Sequence, residues 1–207
     1  MRNRYFIYTI TVCALCLGLS LFFCWRYKNR AETMLRQNEE LQAENSKLSL
    51  LKTLNRHREE EQRLSGCEIG SLKLDEEGRN PALLEGMING NTLVLYFSET
   101  GCDMCLEAQL AALNKWRDSI NSNIILFLYA TNNRYVQIQQ SKLAYPIYRV
   151  FKKLTSDDMP LYFMIEKETM RINSPFFPLK ELPDQTEKYL GYIKEKYFYV
   201  FCENKNK

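Results

Sequence analysis

The sequence predicts an α/β domain over residues 66–207, carried behind a membrane-length apolar helix and a charged helical stalk. Three observations lead there. Tyr5–Trp25 holds no charged residue, and a transmembrane helix needs ~20 apolar positions. Residues 31–65 hold no Gly, Pro, Phe, Tyr or Trp and are rich in Glu, Lys, Arg, Gln, Asn and Leu, a long-helix composition. Beyond them, apolar runs of strand length alternate with amphipathic stretches of helix length. The aromatics, absent between Tyr27 and Tyr96, become dense there, as in a packed core.

The 207 residues allow about one domain plus appendages. A net charge of +3 gives no reason to expect nucleic acid as a partner. Seven cysteines are too few and too scattered for a disulfide scaffold. His57 is the only histidine, which removes Ser-His and Cys-His catalysis and most metal sites. Because Leu106 follows Cys105, attachment of a c-type haem is excluded as well.

Residues 1–4 form a short tail. Segment 5–25 reads as an uncleaved single-pass anchor: it is longer than the ~7–15 residues of a signal-peptide core and lacks a small-x-small cleavage pair. Tyr5, Tyr8 and Trp25 lie near its ends, where amphipathic rings favour the membrane–water interface. Arg2 and Arg4 precede it, and Arg26, Lys28 and Arg30 follow, so charge alone hardly orients it. A very short N-terminal tail that stays inside puts the C-terminal domain outside the cytoplasm. Segment 26–65 is the stalk. Asn38, Leu41, Asn45 and Leu48 fit alternating a and d positions of a heptad. That leaves two readings open, a solvated single helix and a short coiled coil pairing two copies of the chain. His57 is expected to be exposed in this charged stretch, and Gly66 to end it.

Within the domain, Ser71–Leu74 is an opening strand candidate and Asp75–Gly78 a turn. Pro81–Ile88 is a short helix candidate with Pro at its start. Thr92–Phe97 reads as a buried central strand. Leu106–Ile120 is an amphipathic helix, with Leu106, Leu110, Leu113, Trp116 and Ile120 on one face. Ile124–Ala130 is a second strand, Asn132–Ala144 a helix and Pro160–Ile165 a third strand, which Met170–Phe176 follows after a turn at 166–169. Asp184–Phe198 closes the domain as an amphipathic helix with Asp184 as its candidate cap.

Between the first strand and the long helix stands Cys102-Asp103-Met104-Cys105. In a strand–turn–helix context this spacing means redox chemistry rather than zinc. Cys102 would cap the helix, where free N–H groups and the helix dipole stabilise a thiolate. Cys105, one turn deeper on the same face, would close onto Cys102 and release a mixed-disulfide partner. Glu99, Asp103 and Glu107 surround the motif, and negative charge disfavours a thiolate. The pair is therefore expected to act as a reductant or relay rather than a strong oxidant.

The run Tyr96-Phe97-Ser98-Glu99-Thr100-Gly101-Cys102-Asp103-Met104-Cys105, with Met159-Pro160 before Leu161–Ile165, resembles thioredoxin-like proteins, most nearly those tethered in bacterial envelopes. The resemblance covers about 71–198. It implies a central mixed sheet flanked by helices, a cis peptide at Pro160 opposite the cysteines, and substrate binding by the Met159 backbone with Gly101, Asp103 and Met104. No bound cofactor is implied. Gly101 replaces the family's tryptophan, Asp103-Met104 its Gly-Pro, and Tyr96 a buried aspartate that serves the resolving cysteine.

The function expected is a thiol–disulfide oxidoreductase of the bacterial inner membrane, facing the periplasm or extracytoplasmic space. It would exchange electrons with protein thiols and disulfides and with a redox partner. The alternative is a tethered binding module whose groove between the CxxC and Pro160 holds a peptide without electron transfer. A zinc site would need Cys67 and Cys202 as further ligands, and they stand at the two ends of the domain. The same two cysteines could instead pair or stay free. A peroxidase would want an arginine in the motif beside Thr100, and none is there.

Overall fold

The computed structural model describes residues 2–75, 82–120 and 123–198, with side chains from residue 15 onward. A single helix, α1, runs Arg2–Leu64. The chain divides into two compact units, Met1–Asn55 and Arg56–Lys207.

The first unit is helical throughout its described residues. Leu15, Leu17, Leu21 and Trp25 are exposed, and Phe22 packs edge-on against Phe23. Among the described residues no helix is long and apolar enough to cross a membrane. The side chains of residues 5–14, the first part of the expected anchor, lie outside the described residues. Leu41 and Leu48 of the heptad pattern are exposed.

The second unit is built on one seven-stranded sheet. Its strands are β1 (Lys73–Asp75), β2 (Ala82–Leu83), β3 (Thr92–Ser98), β4 (Ile124–Tyr129), β5 (Ile147–Val150), β6 (Leu161–Glu166) and β7 (Arg171–Phe176), in the order β2-β1-β5-β4-β3-β6-β7. β3, β4 and β5 are parallel; β6 and β1 run against them, and β7 runs against β6. The helices are α2 (Asp103–Trp116), α3 (Asn133–Lys142) and α4 (Pro183–Ile193). This mixed sheet with flanking helices is a thioredoxin-like α/β fold.

β3 explains the arrangement. All seven of its residues are buried, and strand geometry sends alternate side chains to opposite faces. Leu93, Leu95 and Phe97 join one core with Leu106 and Leu113 of α2 and Leu190 of α4. Val94 and Tyr96 join the other, with Leu64, Leu84, Phe163 and Phe177. Leu64 belongs to α1, so the end of the expected stalk covers a face of the sheet.

That packing corrects the boundary at residue 65 and the reading of His57. The histidine is only 3 % exposed and stacks on Phe177 at 4.7 Å between ring centroids. Its Nε2 lies 3.6 Å from Asp157. Arg56 pairs with Asp157 at 3.0 Å, Glu60 accepts from Ser156, and Glu61 accepts the Phe177 N–H at 3.1 Å. A charged helix face reads as solvated in sequence; here it docks because loops 154–160 and 177–183 supply partners distant along the chain. Gly66 ends α1 as expected, with φ +79, which a side chain rarely adopts.

Other boundaries differ. The opening strand begins at Lys73 rather than Ser71. In place of a helix over 81–88 there is the short β2 and one 3-10 turn, Leu84–Gly86, while Pro81 lies outside the described residues. β5 has no counterpart in the sequence reading. It is four residues long and interrupted by Arg149, whose charge is satisfied by the Ala130 carbonyl at 2.8 Å and the Thr131 carbonyl at 3.1 Å. α4 begins with Pro183 in its first turn and no side-chain cap, so Asp184 lies inside the helix rather than capping it.

Burial holds the His57 imidazole below its ordinary value of 6.5, while Asp157 pulls the other way. The unfolded chain therefore binds the proton first, and stability falls as pH drops through 6.5. Denaturant unfolding of the full chain above and below that pH is expected to show the loss. His57→Phe, which keeps a ring against Phe177, should flatten that part of the profile; an unchanged slope would place its origin elsewhere.

Candidate functional site

The site stands where β3 hands the chain to α2. Cys102 is the N-cap of α2, in extended conformation at φ −81 and ψ 110. Its Sγ accepts the Cys105 N–H at 3.3 Å. This side chain satisfies one of the donors that a helix start leaves open. Asp103 occupies the first turn.

The two thiols differ. Cys102 is exposed and Cys105 partly covered, and both are free. The Cys105 thiol and N–H, then the Met104 N–H and the charge of Lys180, hold the Cys102 thiol below its usual range. Burial, and next the hydrogen bond and charge of Cys102, push the Cys105 thiol up to about 11, against a partial offset from Lys180. At neutral pH the outer sulfur is thus the readier nucleophile and the inner one keeps its proton.

Negative charge weighs less on Cys102 than its spacing in sequence suggests. Glu99 turns away to accept from Thr131 Oγ1 and from the Asn132 N–H at 3.1 Å. The Thr131 hydroxyl, above all, holds its carboxyl low. Lys180 is the cation of the site and comes from the loop before α4. Nothing in the local motif announces it.

Pro160 is buried and stands immediately before β6. Its peptide bond is trans, like every peptide bond among the described residues. This corrects the cis geometry implied by the resemblance. An X–Pro bond prefers trans by about 0.5–1 kcal/mol. The room beside Pro160 is small as well, about 10 Å³ between Cys102, Gly101, Asp158 and Pro160.

Gly101 accounts for that closeness. A Cβ placed on it would lie 2.6 Å from the Asp158 carbonyl oxygen and 3.1 Å from that of Ser98. The loop is pinned in place by Asp158, which accepts from Ser98 Oγ at 2.9 Å and pairs with Lys153 at 2.7 Å. Lys153 foremost, with Ser98 and Thr100, keeps the Asp158 carboxyl below its ordinary value. The sequence reading gave Ser98, Lys153 and Asp158 no role, because Ser98 meets Asp158 only across sixty residues of chain.

The larger space lies on the other side of the cysteines. A cavity of about 400 Å³ opens between α2 and the start of α4, bordered by Cys102, Cys105, Met104, Met159, Leu179 and Lys180. Met104 is 69 % exposed. Of the residues expected to bind substrate, Met104 and Met159 meet at this cavity, while Gly101 and Asp103 line the small space beside Pro160. Cys67 is exposed, and Cys202 lies outside the described residues. Among the described residues no cluster of three or more His, Cys, Asp or Glu side chains offers a metal site.

No protein-family model and no curated protein matches this chain. Solved structures do. A solution structure of an uncharacterized thioredoxin-like protein from Porphyromonas gingivalis is 12% identical, covering 63% of this chain and 94% of its own, at a TM-score of 0.46. A cysteine-to-serine mutant of PrxQ from Xylella fastidiosa is 13% identical over 63% of this chain and 95% of its own, also at 0.46. Yeast Sco1 is 10% identical over 64% and 96%, at 0.44.

Two outcomes follow from the geometry. On alkylation of the reduced chain across pH, mapped by peptide mass, Cys102 should react first with a midpoint below the ordinary 9.0. Cys105 should stay largely protected until about pH 11. Gly101→Ala should cost about 1–3 kcal/mol of stability through overpacking against the 158 carbonyl, read by denaturant unfolding; no loss would mean the loop yields freely.

Proposed function

We propose that this chain is a thiol–disulfide oxidoreductase that acts on protein disulfides through Cys102 and Cys105, as a reductant or relay rather than a strong oxidant. One observation carries the reading: Cys102 caps α2 with an exposed sulfur that accepts the Cys105 N–H, while Cys105 one turn on is partly covered. That is the division of labour a dithiol exchange needs.

The Cys102 thiolate attacks one sulfur of a substrate disulfide. An S–S bond forms between Cys102 and that sulfur, the substrate S–S bond breaks, and the departing thiolate takes a proton. Cys105 then gives up its proton and attacks Cys102 Sγ, which releases the second substrate thiol. The substrate disulfide gains two electrons and two protons, and Cys102–Cys105 becomes a disulfide. A redox partner returns the two electrons. The leaving group at the second step is the substrate's thiolate, which takes up a proton as it departs.

The uncharged run Tyr5–Trp25 with its basic flanks supports a single-pass anchor in the bacterial inner membrane, with the domain in the extracytoplasmic space. Disulfides form and persist there, and tethering raises the effective concentration towards membrane-bound partners. The heptad positions along the stalk leave pairing of two copies as a part of the same proposal.

The test is the reduction potential of the full chain, equilibrated in glutathione or dithiothreitol buffers with thiol trapping. A reversible two-electron couple between about −120 and −270 mV, nearer the reducing end and abolished in Cys102→Ser, is the expected result. If no such couple appears while Cys102→Ser with Cys105→Ser retains full function, the domain is a tethered peptide-binding module instead.

A further inference from the structure

The loop between β7 and α4 is held from the side of α1. Phe177, Pro178 and Leu179 are buried, and Lys180 beside them is exposed. Lys180 lies with Cys102 and Cys105 along the same cavity. β7 ends at Phe176, so the Phe177 N–H falls outside the sheet ladder, and a buried N–H needs a partner. Glu61 of α1 supplies it, accepting at 3.1 Å. His57, one turn earlier, lays its ring on the Phe177 ring at 4.7 Å between centroids, and Leu64 packs in the same core.

Both α1 residues are costly where they stand. Burial pushes the Glu61 carboxyl up, with the Phe177 N–H and then Arg58 opposing it. Among the described residues neither ring nitrogen of His57 finds a hydrogen bond, since Asp157 at 3.6 Å is too far. A buried polar group left unsatisfied calls for an explanation. Stability alone does not provide one, because an apolar side chain would pack in that place at lower cost. What these residues hold, next to the thiols, does provide one.

The place of Lys180 matters because charges of both signs surround it. Glu181 follows it, and Asp184 lines the same cavity. Lys180 favours the Cys102 thiolate, whereas Glu181 works against ionisation of Cys105. A loop displaced by one residue would bring the wrong sign to the sulfurs. Coulomb attraction falls with distance and is screened by water and salt, so Lys180 acts on Cys102 only while the loop is held.

We propose that the end of α1 is part of the redox site: His57 and Glu61 are positioning residues that hold Phe177, and through it Lys180, against the two thiols. The inference rests on the proposed dithiol exchange for its consequence, while the contacts stand without it. The helix that continues into the stalk thus also sets the reactivity of the nucleophile.

The experiment alkylates the reduced full chain with iodoacetamide across pH, in lipid nanodiscs, and follows Cys102 by peptide mass. In His57→Ala and in Glu61→Ala the Cys102 midpoint should rise by about half a pH unit, or about threefold less thiolate at pH 7, the size expected of one partly screened charge. Loss of the Glu61 charge by itself would lower the midpoint, so a rise reports the loop. His57→Phe keeps the stack and Glu61→Gln keeps an acceptor, and both should retain the unaltered midpoint. In a Lys180→Met background, where the midpoint is already raised, neither alanine variant should move it further. Circular dichroism checks that each variant is folded. Glu61→Ala removes one hydrogen bond and leaves the core intact, so it decides the matter if His57→Ala unfolds. An unmoved midpoint in folded Glu61→Ala would overturn the inference, as would an equal rise with Lys180→Met present. If the midpoints move as expected but the unaltered chain has no reversible Cys102–Cys105 couple, the positioning role stands and the redox reading falls.

Discussion

Burial of β3 on both faces is the constraint on which the rest depends. Every residue from Thr92 to Ser98 is enclosed, so the strand can neither slide nor turn over without exposing one core or the other. Its end is therefore a fixed point. The chain leaves it through Glu99-Thr100-Gly101 and enters α2 at Cys102, so the reactive sulfur inherits its position from the sheet. The helix then needs a cap, and the cap is the nucleophile.

Several contacts hold the surroundings to that fixed point. Gly101 lets the turn touch the Asp158 carbonyl, and Ser98 and Lys153 hold the Asp158 carboxylate. The last turns of α1 reach both neighbouring loops, with Arg56 and Glu60 on Asp157 and Ser156 and with Glu61 on the Phe177 N–H. Residues 177–183 then present Leu179 and Lys180 to the cavity. The end of α1 therefore belongs to the domain as a structural part. A fragment that begins at Gly66 would lack His57 and Leu64 and leave these loops without their partners on α1.

The electrostatics of the two cysteines come from their unequal surroundings, not from strong bases. Cys102 draws on backbone N–H groups, a neighbouring thiol and one lysine; Cys105 meets burial and the charge of its own partner. Glu99, whose charge would otherwise oppose the thiolate, is engaged by Thr131 and Asn132 at the start of α3. That same corner is completed by Arg149, the charged residue in β5 that holds the Ala130 and Thr131 carbonyls. One loop corner thus binds the acidic group and leaves the cysteine the less affected by it.

Sequence by itself determined the parts whose causes are local. The apolar runs fixed β3, β4 and β6, helical spacing fixed α2, and the Cys-x-x-Cys at a strand–helix junction fixed which sulfur is exposed. Gly66 marked the end of α1 because few residues tolerate φ +79. Tertiary structure decided whatever depends on partners far along the chain. It buried His57 against Phe177, brought Lys180 to the thiols and set Gly101 against Asp158. It also left the Met159–Pro160 bond trans and opened the usable cavity on the α4 side. Local pattern encodes which way a side chain faces on its own element; only packing of distant elements determines what it faces.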